Sequence, residues 1–142
     1  MERNLQILLV EDNLLNQKLV ALNLKKFNHT VVIANDGYEA IEKFSENKFD
    51  LILMDVMMPL MDGLQATIKI REIESAYAIE NRTPIIALTG NAMADDRKKC
   101  FSAGMDEFMT KPFNIGILIS KYNELKNTTG YHAVKENSYE GK

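Results

Sequence analysis

Four polar groups in this sequence each follow a compact apolar run. Glu11-Asp12 follows residues 5–10, Asp55 follows 51–54, Thr89-Gly90 follows 84–88, and Lys111-Pro112 follows 106–109. Taken singly each has an ordinary role, because an acid or Thr after a strand commonly caps a helix or makes a turn, and a Lys before Pro is commonly at the surface. Taken together they imply chemistry. Three carboxylates in one cleft repel each other and push one another's pKa upward unless a cation lies between them. Oxygen ligands of this kind suit Mg2+, or Mn2+ in its place, which keeps several waters and takes one or two carboxylates. A lysine and a hydroxyl in the same cleft add the point charge and the donor that hold a phosphoryl group in flight. The chemistry implied is phosphoryl transfer to or from oxygen.

Whether the four groups share a cleft depends on the elements that carry them. Apolar runs rich in β-branched residues alternate with segments of helical period, the pattern of a parallel sheet covered on both faces. Strands are predicted at 5–10, 30–34, 51–54, 84–88 and 106–109. A first helix is read from Leu15, Leu19 and Leu22, with Val20, Leu24 and Phe27 on a neighbouring row. Ala40, Ile41 and Phe44 mark a second, and Leu64, Ile68 and Ile73 a third. A fourth runs from Met93 to Ala103, with Gly104 placed to end it. Ile115, Leu118, Ile119, Tyr122 and Leu125 mark a fifth. Right-handed crossovers then favour an α/β, doubly wound, flavodoxin-like (βα)5 sheet of order 2-1-3-4-5, whose functional cleft lies beyond the carboxyl ends of the strands. All four polar groups fall on that edge.

Composition sets the surroundings. With 142 residues, 46% hydrophobic and 26% charged, the chain fits one domain; residues 1–126 are expected to form it, and 127–142 to be a polar, flexible tail. A net charge of -3 and only short basic clusters, Lys25-Lys26 and Arg97-Lys98-Lys99, argue against nucleic-acid binding. No apolar run is long enough to span a bilayer and no secretory leader is evident, so no membrane association and a cytoplasmic location are expected. The single Cys100 excludes an internal disulfide and a thiolate metal cage, and reads as a small helix hydrophobe.

Position separates the roles of the acids. Asp55 ends the central run Leu51-Ile52-Leu53-Met54, where a rigid buried strand fixes its direction, so it is the candidate nucleophile. Glu11-Asp12 sits at a strand-to-helix turn suited to cupping a metal, with Asp12 the direct ligand.

The segments Leu9-Val10-Glu11-Asp12-Asn13, Asp55 through Gly63, Leu88-Thr89-Gly90-Asn91-Ala92 and Lys111-Pro112-Phe113 resemble the response-regulator receiver family in order and spacing. Together with Asn16-Gln17 they look most like receivers of hybrid histidine kinases. The resemblance implies that Asp55 takes a phosphoryl group from a phosphohistidine, borne by a histidine kinase or a histidine phosphotransfer domain. It implies metal ligation by Asp12, Asp55 and the backbone carbonyl of Met57, with Glu11 acting through water. Lys111 would pair with the phosphoryl oxygens, Thr89 would donate to one of them and move inward, and Phe108 would turn inward as the switch aromatic. Met57 and Asn91 occupy the positions that tune phosphoryl lifetime, and the Lys111-Pro112 bond would be cis. The face made by the fourth helix, last strand and fifth helix would meet a downstream protein or a domain of the parent chain.

Three rivals compete with this reading. A Mg2+-dependent aspartyl phosphatase would carry a second acid two residues after its nucleophile, where this chain has Met57. A flavin binder needs a Ser, Thr and Gly-rich first turn, and Glu11-Asp12-Asn13 would repel its phosphate. A degenerate receiver serving as a binding module would have no need of the intact acids and Lys111.

Overall fold

The computed structural model describes residues 4–90 and 93–127. Its elements are β1 (Gln6–Val10), α1 (Leu14–Lys26), β2 (Thr30–Ala34), α2 (Gly37–Glu46), β3 (Leu51–Asp55), α3 (Gly63–Ala76), β4 (Ile85–Thr89), α4 (Ala94–Ala103), β5 (Glu107–Thr110) and α5 (Ile115–Asn127). The strands form one parallel sheet in the order β2-β1-β3-β4-β5, the doubly wound arrangement expected from the alternation of patterns. No helix among the described residues is long and apolar enough to cross a membrane.

The core lies on both sides of the sheet. Leu8, Val10, Ile52, Met54, Ile85 and Ala87 face Ala40, Phe44, Ala66, Ile70 and Cys100. Their strand neighbours Ile7, Leu9, Leu51, Leu53, Ile86 and Leu88 face Val20, Leu24, Leu118 and Tyr122. Because successive strand residues point to opposite faces, continuous apolar runs are what a doubly covered sheet requires. Burying each such Leu, Ile or Val stabilises the fold by about 1.5–3 kcal/mol.

Local signals set the element ends. Asn13, Asp36 and Asp62 cap α1, α2 and α3 through their side chains, and Asp62 forms a capping box with Gln65. Gly104 ends α4 at φ 113°, a backbone state that favours glycine. Three strands, β3, β4 and β5, end one residue further than the apolar spacing predicts, at Asp55, Thr89 and Thr110. Asp55 pairs with Leu88 and Thr89 with Thr110, so these polar residues lie in the sheet's last rungs.

The first helix corrects the sequence reading. The row Leu15, Leu19 and Leu22 is exposed, as are Leu14 and Phe27, while Gln17, Val20, Ala21 and Leu24 face the sheet. Spacing cannot choose between two apolar rows. The inner row carries Gln17, whose buried amide donates to the Glu11 carbonyl and to Asn35 Oδ1. Ile68 of α3 is likewise exposed, and Ala66, Thr67 and Ile70 take the inner positions. Helix α5 continues through Asn127, one residue beyond the expected end of the domain; the rest of the expected tail lies outside the described residues.

A buried ion cluster ties the far end of the sheet together. Asp106 accepts from Arg71 Nη2 at 2.8 Å, Arg82 Nη2 at 2.7 Å and the Ile85 amide at 2.9 Å. Arg71 also pairs with Glu74 at 2.7 Å and donates to the Gly104 and Thr83 carbonyls. With each charge paired and hydrogen-bonded, this cluster joins α3, β4 and the α4–β5 turn.

Candidate functional site

At the carboxyl edge of the sheet, Glu11, Asp12 and Asp55 each present a carboxylate oxygen, all within 4.8 Å of one another. Asp55 ends β3 and Glu11 follows β1; both are buried, whereas Asp12 is exposed at the cleft mouth. Lys111 Nζ lies 3.3 Å from Asp55 Oδ2 and 3.8 Å from Glu11 Oε1. The Lys111 amide donates to the Thr89 carbonyl at 2.8 Å, which fixes the start of the β5–α5 loop beside β4. The Lys111-Pro112 peptide is cis.

Backbone donors aim the acids. The Met57 amide donates to Asp55 Oδ1 at 3.2 Å, and the Asn13 amide donates to Glu11 Oε2 at 3.0 Å. The Glu11 carboxyl is raised from 4.5 to about 7, chiefly by burial and also by neighbouring Asp55, with the Asn13 amide and Lys111 opposing the rise. Glu11 Oε1 is buried with no hydrogen-bond partner. A buried carboxylate oxygen with no hydrogen bond, approached by Lys111 Nζ at 3.8 Å and standing beside two more acids, belongs to a donor set that fits a hard divalent cation.

The other residues singled out from sequence have varied surroundings. Thr89 is buried at the end of β4, and Gly90 beside it has open space where a side chain would begin. Met57 is exposed in the loop after β3. Met54 is core, and Met58 and Met61 pack against it as filler. Phe108 of β5 is half-buried, with Arg97 5.4 Å and Lys121 5.6 Å from its ring centre and Phe101 edge-on at 6.4 Å. Of the aromatics near this face, Tyr122 belongs to the core, Phe113 packs half-buried against it, and Phe101 is exposed. Asn91 lies outside the described residues.

Gly63, the first residue of α3, has a role at the site that the sequence did not signal. A Cβ there would collide with the carbonyl oxygen of Asp55, so glycine lets α3 start against the backbone of the acid. The Gly63 amide also donates to Val56 O at 3.0 Å, closing the loop that carries Met57. Asp-Gly is so common in turns that spacing alone gave no signal for this contact.

A doubly wound sheet with three acids and a lysine at its carboxyl edge defines a phosphoryl-transfer class of α/β domain. The sequence profile of the response regulator receiver domain matches residues 7–123. The chain belongs to the response regulator receiver family, and it is a receiver domain of two-component phosphorelay signalling.

Hybrid signal transduction histidine kinase I of Dictyostelium discoideum is 41% identical over 123 residues, covering 83% of this chain and 7% of the kinase. The chain therefore spans a small part of such relatives. Among solved structures, the receiver domain of Ssk1 from Saccharomyces cerevisiae, crystallised with the histidine phosphotransfer protein Ypd1, superposes with a TM-score of 0.82 at 29% identity, covering 87% of this chain and 90% of that one. The receiver of a Pseudomonas aeruginosa sensor histidine kinase gives 0.75 at 38% identity, covering 86% and 97%. That receiver has a magnesium ion coordinated in its active-site cleft.

Proposed function

We propose that Asp55 accepts a phosphoryl group from a phosphohistidine of a histidine kinase or histidine phosphotransfer domain. A divalent cation, Mg2+ or Mn2+, would be held by Asp12, Asp55 and the backbone carbonyl of Met57, with Glu11 contacting it through water. The observation that carries this reading is Lys111 Nζ meeting Asp55 Oδ2 at 3.3 Å within a group of three carboxylates. In the transfer, an Asp55 oxygen bonds to phosphorus as the P–N bond breaks. The electron pair leaves with the imidazole nitrogen, which takes a proton from solvent. When bound, the cation offsets the charge of the acids and of the transferring oxygens. Lys111 supplies a compact positive charge to the phosphoryl oxygens, Thr89 donates its hydroxyl, and the Met57 amide holds the Asp55 carboxylate in line.

One surface reads the signal out and another receives it. Inward movement of Thr89 and Phe108 remodels the α4-β5-α5 face, which a downstream protein or a domain of the parent chain recognises. The phosphodonor docks beside the cleft on the outer row of α1, where Leu14, Leu15, Leu19 and Leu22 stand exposed close after Asp12. An apolar row of this kind on a surface helix marks an interaction site. Met57, 75% exposed and apolar, offers an attacking water no hydrogen bond, which favours a long-lived acyl phosphate. Asn91 is the companion position for lifetime. The phosphatase reading lacks its second acid at Met57, and the binding-module reading leaves the paired Lys111 and Asp55 without a purpose.

Incubation with Mg2+ and a small acyl-phosphate donor is expected to add one phosphoryl mass to the parent and none to Asp55→Asn. No adduct on a folded, Mg2+-binding parent would favour the binding module instead. Equal adducts on both proteins would refute Asp55 as the acceptor.

A further inference from the structure

Gln17 is a polar residue on the buried face of α1, 4% exposed among Val20, Ala21 and Leu24. Its Nε2 donates to the Glu11 carbonyl at 2.6 Å and to Asn35 Oδ1 at 2.7 Å, so both amide hydrogens are used. The orientation of these amides is fixed from outside. Glu39 Oε1 accepts from both the amide and Nδ2 of Asn35 at 2.9 Å, which turns Asn35 Oδ1 toward Gln17. Two acceptors at such distances then require nitrogen, not oxygen, at that end of Gln17.

The carbonyl that Gln17 holds belongs to the peptide joining Glu11 to Asp12. Its direction therefore sets the aim of two of the three carboxylates in the cleft. The preceding peptide is held from the other side, since the Glu11 amide donates to Ala34 O at 3.1 Å. Without these ties, repulsion among Glu11, Asp12 and Asp55 would drive the turn outward whenever no cation is present. We propose that Gln17, oriented through Asn35 by Glu39, is a positioning residue that holds the Glu11-Asp12 turn ready for a divalent cation. The proposal rests on the reading of the acids as a cation site. It gives a role to Gln17, which the sequence marked only by resemblance.

Outer-sphere partners of this kind typically change metal affinity by about tenfold or more when removed. The test is Mg2+ titration of the full chain as parent, Gln17→Met, Glu39→Gln and the double variant, with folding of each followed by thermal denaturation. Gln17→Met keeps the side-chain volume and is expected to weaken Mg2+ binding about tenfold, with phosphorylation by a small acyl phosphate recovering at saturating Mg2+. Glu39→Gln, further from the core, is expected to weaken binding in the same direction by less. The double variant should be no weaker than Gln17→Met, because the two residues act through one hydrogen-bond path. In the metal-free protein, exchange of the Asp12 and Asn13 amides should quicken in Gln17→Met. A purely structural role would lower the melting temperature and leave the Mg2+ dissociation constant unchanged. That result in both single variants, with a parent that binds Mg2+, overturns the proposal alone. A folded parent that binds no Mg2+ overturns the cation-site reading and this proposal with it.

Discussion

Replacing Glu11 by glutamine should make the metal-free protein more stable at pH 8 while weakening its hold on a cation. The unfolded chain keeps Glu11 at its ordinary value of 4.5, whereas burial in the folded protein raises it to about 7. The folded state therefore binds the extra proton between those values. Stability from this group is full below pH 4.5 and is lost as pH rises through 7. A shift of that size corresponds to about 3 kcal/mol, an upper bound once residual hydration of the cleft is allowed for. Glutamine preserves the acceptor for the Asn13 amide and removes the charge that faces Asp55. Urea denaturation of both proteins without metal should give Glu11→Gln an advantage of about 1–3 kcal/mol at pH 8 that vanishes near pH 5. Subtracting the parent cancels the other titrating groups, so the difference reports Glu11. A stability difference independent of pH, or a less stable variant at pH 8, would refute the reasoning. The same linkage makes Mg2+ affinity of the parent rise with pH through about 7, with a proton released on binding below that range.

Leu19→Glu places a charge on the exposed row of α1, and should change stability by no more than about 0.5 kcal/mol. Phosphorylation by a small acyl phosphate should be unaffected, while transfer from a histidine phosphotransfer protein should slow at least about tenfold. Asp106→Ala takes from Arg82 its carboxylate partner and leaves Arg71 with Glu74 alone in a buried setting, and a loss of about 3–5 kcal/mol in urea denaturation is expected. Met57→Asn gives an attacking water a hydrogen-bonding partner, so the phosphorylated variant should lose phosphate faster than the parent in an intact-mass time course.

Much of the sheet was legible because its strands are buried on both faces. Ile7-Leu8-Leu9-Val10 and Ile85-Ile86-Ala87-Leu88 have almost no exposure, and their runs admit few other readings. Lining up their carboxyl ends then brought Glu11, Asp12, Asp55, Thr89 and Lys111 to one edge before any coordinates were needed. Helix α1 was harder, since it is apolar on two sides and the polar Gln17 lies on the inner one. Contacts between residues remote in sequence gave no periodic signal. Gly63 against the Asp55 carbonyl, Asn35 against Gln17, and Asp106 between two arginines all depend on packing of separate elements.

Asp55 as the phosphoryl acceptor is tested most directly by trapping the acyl phosphate. Borohydride reduces an aspartyl phosphate to homoserine, which peptide mass mapping locates after phosphorylation in Mg2+. Homoserine at position 55, and at neither 11 nor 12, is the expected result. Homoserine at either of those acids with Asp55 intact, or phosphate retained on a hydroxyl such as that of Thr89, would contradict it.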